Sequence, residues 1–542
     1  MALALTRIVP ADVQRLSAAR DTSKAFSAEL RGPLPLLLAS GGDTRLAIDP
    51  VHKSNVYGCY VSPSPLALAF ASSTATSISE RAYQAAHKAR EALIGQSAEE
   101  DLIEAFDWRI ECVRHELRSR LELDHSGAEV VFSPSGTDSQ LHALFFARQL
   151  MGGPITCIVV GADQTGSGTA FTSCAQHFSD RTAQGRSVTK GTAIAELADD
   201  TVGLGISLFA EDGSVRSAQE IDTLVIKSVA EQVRTGSNVI LLAMDSSKLG
   251  WRAPSDACLR MVSARWPEAV QIVVDACQMR IGRPRLREYL NRGYIVLVTG
   301  SKFFSGPAFS GASLWPRALA ERIARMNEAP EGLEYYATQF DLPLRWGTVR
   351  ASLPSAPNFG QWLRWEAALE EMRAYHELPS SYRRRGLAGL AGAVPAAIAA
   401  SRHLEALPCP EIHSRDWLDD AEMSNKTIFP FLVRRKGHAL GFDEMTRIYR
   451  ALNSDLSATM RGMAKDDERA LASVPCHVGQ PVKTPAGTVL RIAIGATILS
   501  EAWSHRSHTA EANIRTVIGQ IETVIKKIDL IVATNSHLAR PI

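Results

Sequence analysis

The chain has 542 residues, enough for two or three domains and a large core at roughly 100 to 200 residues per domain. Its 45% hydrophobic and 22% charged fractions are those of an ordinary globular protein and exclude wholesale disorder or a coiled-coil rod. Lys and Arg number 59 against 58 Asp and Glu, a net charge of +1 that offers no global field to a polyanion, so nucleic acid is not an expected partner.

The N-terminus, MALALTRIVPADVQRLSAAR, meets Arg7, Pro10 and Asp12 before a signal-peptide core can form, and no secretion signal is expected. Helices are predicted over residues 79–94 and 98–123, the second with an apolar stripe through Leu102, Phe106, Ile110 and Val113. Over residues 129–316 short β-branched runs alternate with helical patterns. The strands EVVFS, ITCIVVG, VGLGISLF, NVILLAMD, VQIVVDA and YIVLVTG predict a mostly parallel sheet wound by crossover helices. Between the third and fourth, Ser217 and Glu220 form a capping box and Gly236 supplies the stop. Residues 358–375 read as a long connector helix. Residues 387–400, LAGLAGAVPAAIAA, read as a buried helix start, too short for the roughly 20 residues a bilayer requires and interrupted by Pro395, so no membrane is expected as a partner. Strands IFPFLVRR and VLRIAIGA and a closing helix over 510–528 complete a smaller α+β domain. The expected fold class is α/β, with an N-terminal arm and part of the small domain at 1–78, a large domain at 79–357, and the connector with the small domain at 358–542. Eight cysteines without a C-x-x-C pair predict reduced thiols in a cytoplasmic setting and no metal site.

Three clusters stand just beyond predicted strand ends, the edge where open α/β sheets bind ligands. In SPSGTDSQ, Ser135, Gly136 and Thr137 open a helix near Asp138; such a turn either presents N–H groups and a positive dipole end to a phosphate or simply caps the helix. In VVDACQMR, Asp275 ends an apolar run; it either answers a cation such as a protonated pyridine nitrogen or caps the next helix. In LVTGSKFFSGPAFSG, Lys302 follows a strand, where desolvation can leave it neutral enough to attack a carbonyl, unless it is a surface lysine beside a glycine loop.

In this chain order the three clusters resemble the fold type I enzymes dependent on pyridoxal 5′-phosphate (PLP), and within them the class V aminotransferase group with cysteine desulfurases and kynureninase, over about residues 130–373. The resemblance implies a PLP-binding large domain and an amino acid or related amine as substrate. It gives Lys302 the Schiff base, Asp275 the pyridinium nitrogen and Gln278 the ring hydroxyl. Ser135, Gly136, Thr137 and Ser301 would hold the phosphate. Gly347 and Thr348 in RWGTVRAS look like the G-T turn that reaches the neighbouring subunit's phosphate, implying a two-fold homodimer with shared sites. Arg491 stands where the small domain usually offers a clamp for the substrate carboxylate.

The match also departs. The loop GADQTGSGTAF offers Gln164, Thr165 and Ser167 but no histidine, and no aromatic residue before its closing Phe171, where class V members commonly place a histidine over the ring; Thr165 is retained as a cofactor contact. In MDSSKLGWRAPS, Lys248 is either a contact for an acidic substrate group or a solvated lysine. The small-polar stretch before residue 79 covers the site mouth in related folds, making Asn55, Tyr57 and Ser73 candidate substrate contacts, or it packs as an ordinary arm. Transamination is the leading expectation. Its rivals are elimination or sulfur removal, for which Cys476, beside His477 in PCHVGQPV, stands near the interval of a sulfur-accepting cysteine, and a PLP-fold binding protein without turnover, which loss of the lysine or aspartate would mark. No G-x-x-x-x-G-K-[ST], H-E-x-x-H or G-x-S-x-G occurs.

Overall fold

The computed structural model describes residues 24–63, 67–195, 197–408, 422–460 and 465–534. The stretch read for a secretion signal and Cys409 lie outside them.

Among the described residues the larger sheet has seven strands in the order β2-β8-β7-β6-β5-β3-β4. They are β2 (Glu129–Ser133), β3 (Ile155–Val160), β4 (Thr201–Ile206), β5 (Asn238–Met244), β6 (Val270–Asp275), β7 (Ile295–Thr299) and β8 (Gly311–Trp315). Only β8 runs against its neighbours, pairing antiparallel with both β2 and β7. Parallel strands need covered faces, and β2, β3 and β7 are buried at every position. The smaller sheet orders β1 (Leu68–Phe70), β12 (Cys476–Thr484), β13 (Gly487–Ala493), β10 (Ile428–Arg435) and β11 (His438–Ala439), with β9 (Leu404–Ala406) also on β10. The α/β class with a smaller α+β unit is therefore the architecture found. Strands β1, β8, β9, β11 and β12 were not among those predicted: β1 and β9 have three residues and β11 two, and β8 and β12 open on the loop-like GAS and CHVG.

Local chemistry sets the helix ends. Ser79 caps Glu80–Gln96. The next helix begins at Leu102, not 98, because the Asp101 carboxylate accepts from the N–H groups of Ile103 and Glu104. The capping box is present, with Ser217 N–H donating to Glu220 Oε2 at 2.7 Å and Glu220 N–H to Ser217 Oγ at 3.2 Å. Residues 387–400 are not a helix start but the second half of Ser380–Ala400. Pro395 is tolerated because it lies on the exposed face, where water can serve the carbonyl its missing N–H would have engaged. Among the described residues no helix is long and apolar enough to cross a membrane.

The connector helix, Phe359–His376, is buried along most of its length, and it braces the loop that carries Lys302. A Cβ on Gly306 would lie 2.7 Å from the Ala368 Cβ, so only glycine lets that loop and the helix approach. Trp365 Nε1 donates to Gly311 O at 3.1 Å. Immediately before it Arg364, fully buried, donates to the carbonyls of Phe309 (2.7 Å), Leu38 (3.1 Å), Ser40 and Gly41 (3.1 Å). It ties the arm before residue 45 to the sheet domain. Arg364→Met removes the arginine donor from the Phe309, Leu38 and Ser40 oxygens and leaves Gly41 O with Asn358 Nδ2 alone, and an expected loss of about 3 kcal/mol should appear in urea titration with an unchanged slope.

Candidate active site

The loops after β2, β3, β5, β6 and β7 and the segment entering β8 meet at one cavity of about 1010 Å³, solvent mouth included. Six parallel strands ending at one edge place their following loops together, which is the geometry that makes this edge of an open sheet a binding site. Ser135, Gly136, Thr137, Thr165, Asp275, Gln278, Ser301 and Lys302 all line it. The segment before residue 79 closes the other side through Arg45, Tyr57, Ser73 and Thr74.

Lys302 stands just past the end of β7, partly buried, with Nζ donating to the Thr74 carbonyl. Loss of solvent, with Arg45 and Arg491 nearby, brings its amine down to about 8. A useful fraction is therefore unprotonated near neutrality. Asp275 ends β6 and accepts from Cys277 N–H at 3.0 Å. The following helix begins only at Arg283, so Asp275 is not its cap. Desolvation raises its pKa, the behaviour of a carboxylate enclosed without a full cationic partner.

At the third corner Ser135 is both cap and cavity wall. Its Oγ accepts from Asp138 N–H at 3.3 Å and donates to Asp138 Oδ2 at 2.5 Å. The helix Gly136–Met151 begins there, and its first N–H groups have no partner within the helix. A Cβ on Gly136 would lie 2.6 Å from Cys277 Sγ, so a side chain would close the gap between this helix end and the Asp275 turn. Arg45 reaches the same corner with Nη2 3.3 Å from Ser135 Oγ, while its fork holds Asp43 at 2.9 and 2.6 Å. No local signal in GGDTRLA marks Arg45, since its neighbour at Ser135 is 90 residues away.

Other expected residues fall elsewhere. Asn55 does not line the cavity: its Oδ1 accepts from the N–H groups of Tyr57 (2.9 Å) and Cys59 (3.2 Å) and fixes that turn, so it is not positioned as a substrate contact. Gly347 and Thr348 are exposed at the start of the helix Gly347–Ala351, away from this cavity. Gln278 lines the cavity with its amide engaged, Nε2 to Ser73 O at 2.9 Å and Oε1 from Arg280 at 2.8 Å. Arg491 is fully buried behind the wall, donating to Gln480 O (2.6 Å), Thr74 Oγ1 (2.8 Å) and Ser73 Oγ (3.3 Å), so it is not an open clamp. Cys476 is buried at the start of β12, outside the lining, and burial pushes its thiol up to about 11. His477 lies beside it, also outside the lining, and burial brings it down to about 4. The loop after β3 brings Gln164, buried with Oε1 unpartnered among the described residues; its Phe171 lies outside the described lining, whose aromatics are Tyr57 and Phe309.

No protein-family model matches the chain, and no curated protein matches it. Among solved structures it is similar to a cysteine desulfurase from Escherichia coli (13% identity, 85% of this chain and 95% of that one, TM-score 0.46). It is also similar to Oryza sativa TDC, crystallised with PLP and tryptamine (15%, 96% and 99%, 0.48), and to a cystine C–S lyase crystallised with cysteine persulfide (12%, 84% and 97%, 0.47). At these low identities and scores the likeness carries nothing about chemistry, which is read from the cavity itself.

Proposed function

We propose that this protein is a PLP-dependent enzyme acting on an amino acid or related amine, by transamination to the keto acid. What carries the reading is that Lys302 and Asp275, from the ends of two adjacent parallel strands, face one cavity together with the free N–H groups of a helix start. The donor set fits the cofactor: an amine near 8 for its aldehyde, an enclosed carboxylate for a ring cation, and an anion site at Ser135, Gly136, Thr137, Ser301 and Arg45 for its phosphate.

When bound, PLP supplies an electron sink for charge developing at the carbon that bears the substrate amine, provided its pyridine nitrogen stays protonated. Asp275 would hold the proton on that nitrogen. Lys302 Nζ would anchor the cofactor and, as a base near neutrality, would move the proton at the carbon that bears the substrate amine. The N–H groups of the Gly136 turn, with Arg45, would hold the phosphate. In a two-fold homodimer the exposed Gly347 and Thr348 would be offered to the neighbouring subunit's phosphate.

Sulfur transfer through Cys476 is disfavoured by its burial outside the cavity, and a role without turnover by the presence of both Lys302 and Asp275. The test is an absorption scan of the purified protein supplied with PLP, borohydride reduction and peptide mapping. A visible band that reduction bleaches, with the label on Lys302, is expected; neither appearing sinks the proposal. With a panel of amino acids, transamination should consume a keto-acid acceptor, whereas release of ammonia, sulfide or carbon dioxide without one replaces it with elimination, desulfuration or decarboxylation.

A further inference from the structure

Three cations line the cavity among the described residues: Arg45, Lys248 and Lys302. Two have evident tasks. Arg45 is forked onto Asp43 beside the helix start, and Lys302 is held at Thr74 O. Lys248, on the loop after β5, is engaged by no hydrogen bond or ion pair among the described residues. Asp245 on the same loop does not serve it: its Oδ1 lies 3.3 Å from Arg252 Nη2 and accepts from Tyr289 OH at 3.4 Å. Asp275 is the one acidic residue in the described lining, and its task is the ring.

A partly buried ammonium without a partner is costly, and it is kept where a ligand supplies the anion. Its neighbours sharpen the point: desolvation, then the charges of Arg491, Lys302 and Arg45, depress Lys248 to about 7, and only Asp275 opposes them. Arg491, the residue expected to clamp the substrate, has its donors turned into Ser73, Thr74 and Gln480. The carboxylate-binding task in this cavity is thus left to another cation.

We infer that Lys248 binds a carboxylate of the amine substrate, in place of an open arginine clamp. This rests on the reading of the cavity as an amine-substrate site. An α-carboxylate and a side-chain carboxylate share the chemistry, and the experiment separates them.

The purified protein is titrated calorimetrically with propionate, succinate and propionamide, for the wild type, Lys248→Met and Lys248→Arg. Expected is at least a tenfold loss of carboxylate affinity in Lys248→Met, no change for the uncharged amide, and recovery to within about threefold in Lys248→Arg, as a charge-assisted contact requires. Equal carboxylate affinity in Lys248→Met and the wild type overturns the inference, and so does an equal loss for the amide, which would mark general damage to the cavity. These titrations need no label at Lys302, so their failure and that of the cofactor reading are told apart. In protein supplied with PLP, L-alanine and L-aspartate are then compared through the shift of the visible band. Weakening of both in Lys248→Met assigns the α-carboxylate, weakening of aspartate alone assigns the side-chain carboxylate, and weakening of neither overturns the inference.

Discussion

Lys302→Met is expected to abolish the borohydride-stable label and lower turnover at least about 10³-fold, since the variant loses both the covalent anchor and the acid–base group. Stability should move the other way. The lysine is partly buried, with Thr74 O its one hydrogen-bond acceptor among the described residues, and an apolar isostere removes a charge that the enclosing protein disfavours. The sign of the pH dependence follows from linkage. The folded amine titrates at about 8 and the unfolded one at 10.5, so between these values the unfolded chain binds more protons and the cofactor-free wild type gains stability as pH rises. Lys302→Met should lose that contribution and rise less steeply than the wild type, keeping the similar contribution of Lys248, which burial brings down to about 7. Thermal melts across the window check this together with turnover assays. A variant that keeps its label, or one whose activity loss simply tracks unfolding, would remove Lys302 from the chemistry.

Asp275→Asn keeps the shape and the acceptor for Cys277 N–H while deleting the charge. If Asp275 holds the ring proton, turnover should fall about 10²–10³-fold while PLP still attaches at Lys302 with its absorption shifted. The cofactor-free variant should be at least as stable as the wild type. Desolvation raises the folded carboxyl above the ordinary 3.8, so as pH climbs past that value the unfolded chain sheds its proton first and the wild type loses stability. The asparagine variant should lose stability less steeply over this range, since only the Asp275 contribution is removed while the raised Asp138 and Asp341 carboxyls remain. Wild-type turnover in Asp275→Asn would show that the carboxylate answers no ring cation.

These two variants concern residues that stand out along the chain. Asp275 and Lys302 were legible because one closes the largely apolar strand Val270–Asp275 and the other follows the strand Ile295–Thr299 by three residues, and such strand ends share an edge. The Ser135 turn was legible for a similar reason, as a cap between a strand and a helix. Asn55 and Arg491 show where this kind of reading stops. Their residue types suit substrate contact, yet one is consumed by a turn two to four residues away and the other by hydroxyls and a carbonyl behind the cavity wall. Residue type announces what a side chain can bind; the neighbours that reach it first decide what it does bind.

The sequence by itself therefore determined the α/β class, the strand-end lysine and aspartate, and the helix start at Ser135, because periodicity, capping and strand termination act over a few residues. Only the tertiary structure decided which cations remain open. It brought Arg45 across 90 residues to Ser135, turned Arg491 into the wall and left Lys248 facing the cavity without a partner among the described residues. Whether a charge is satisfied depends on groups distant along the chain, and those meet only when strands and helices pack.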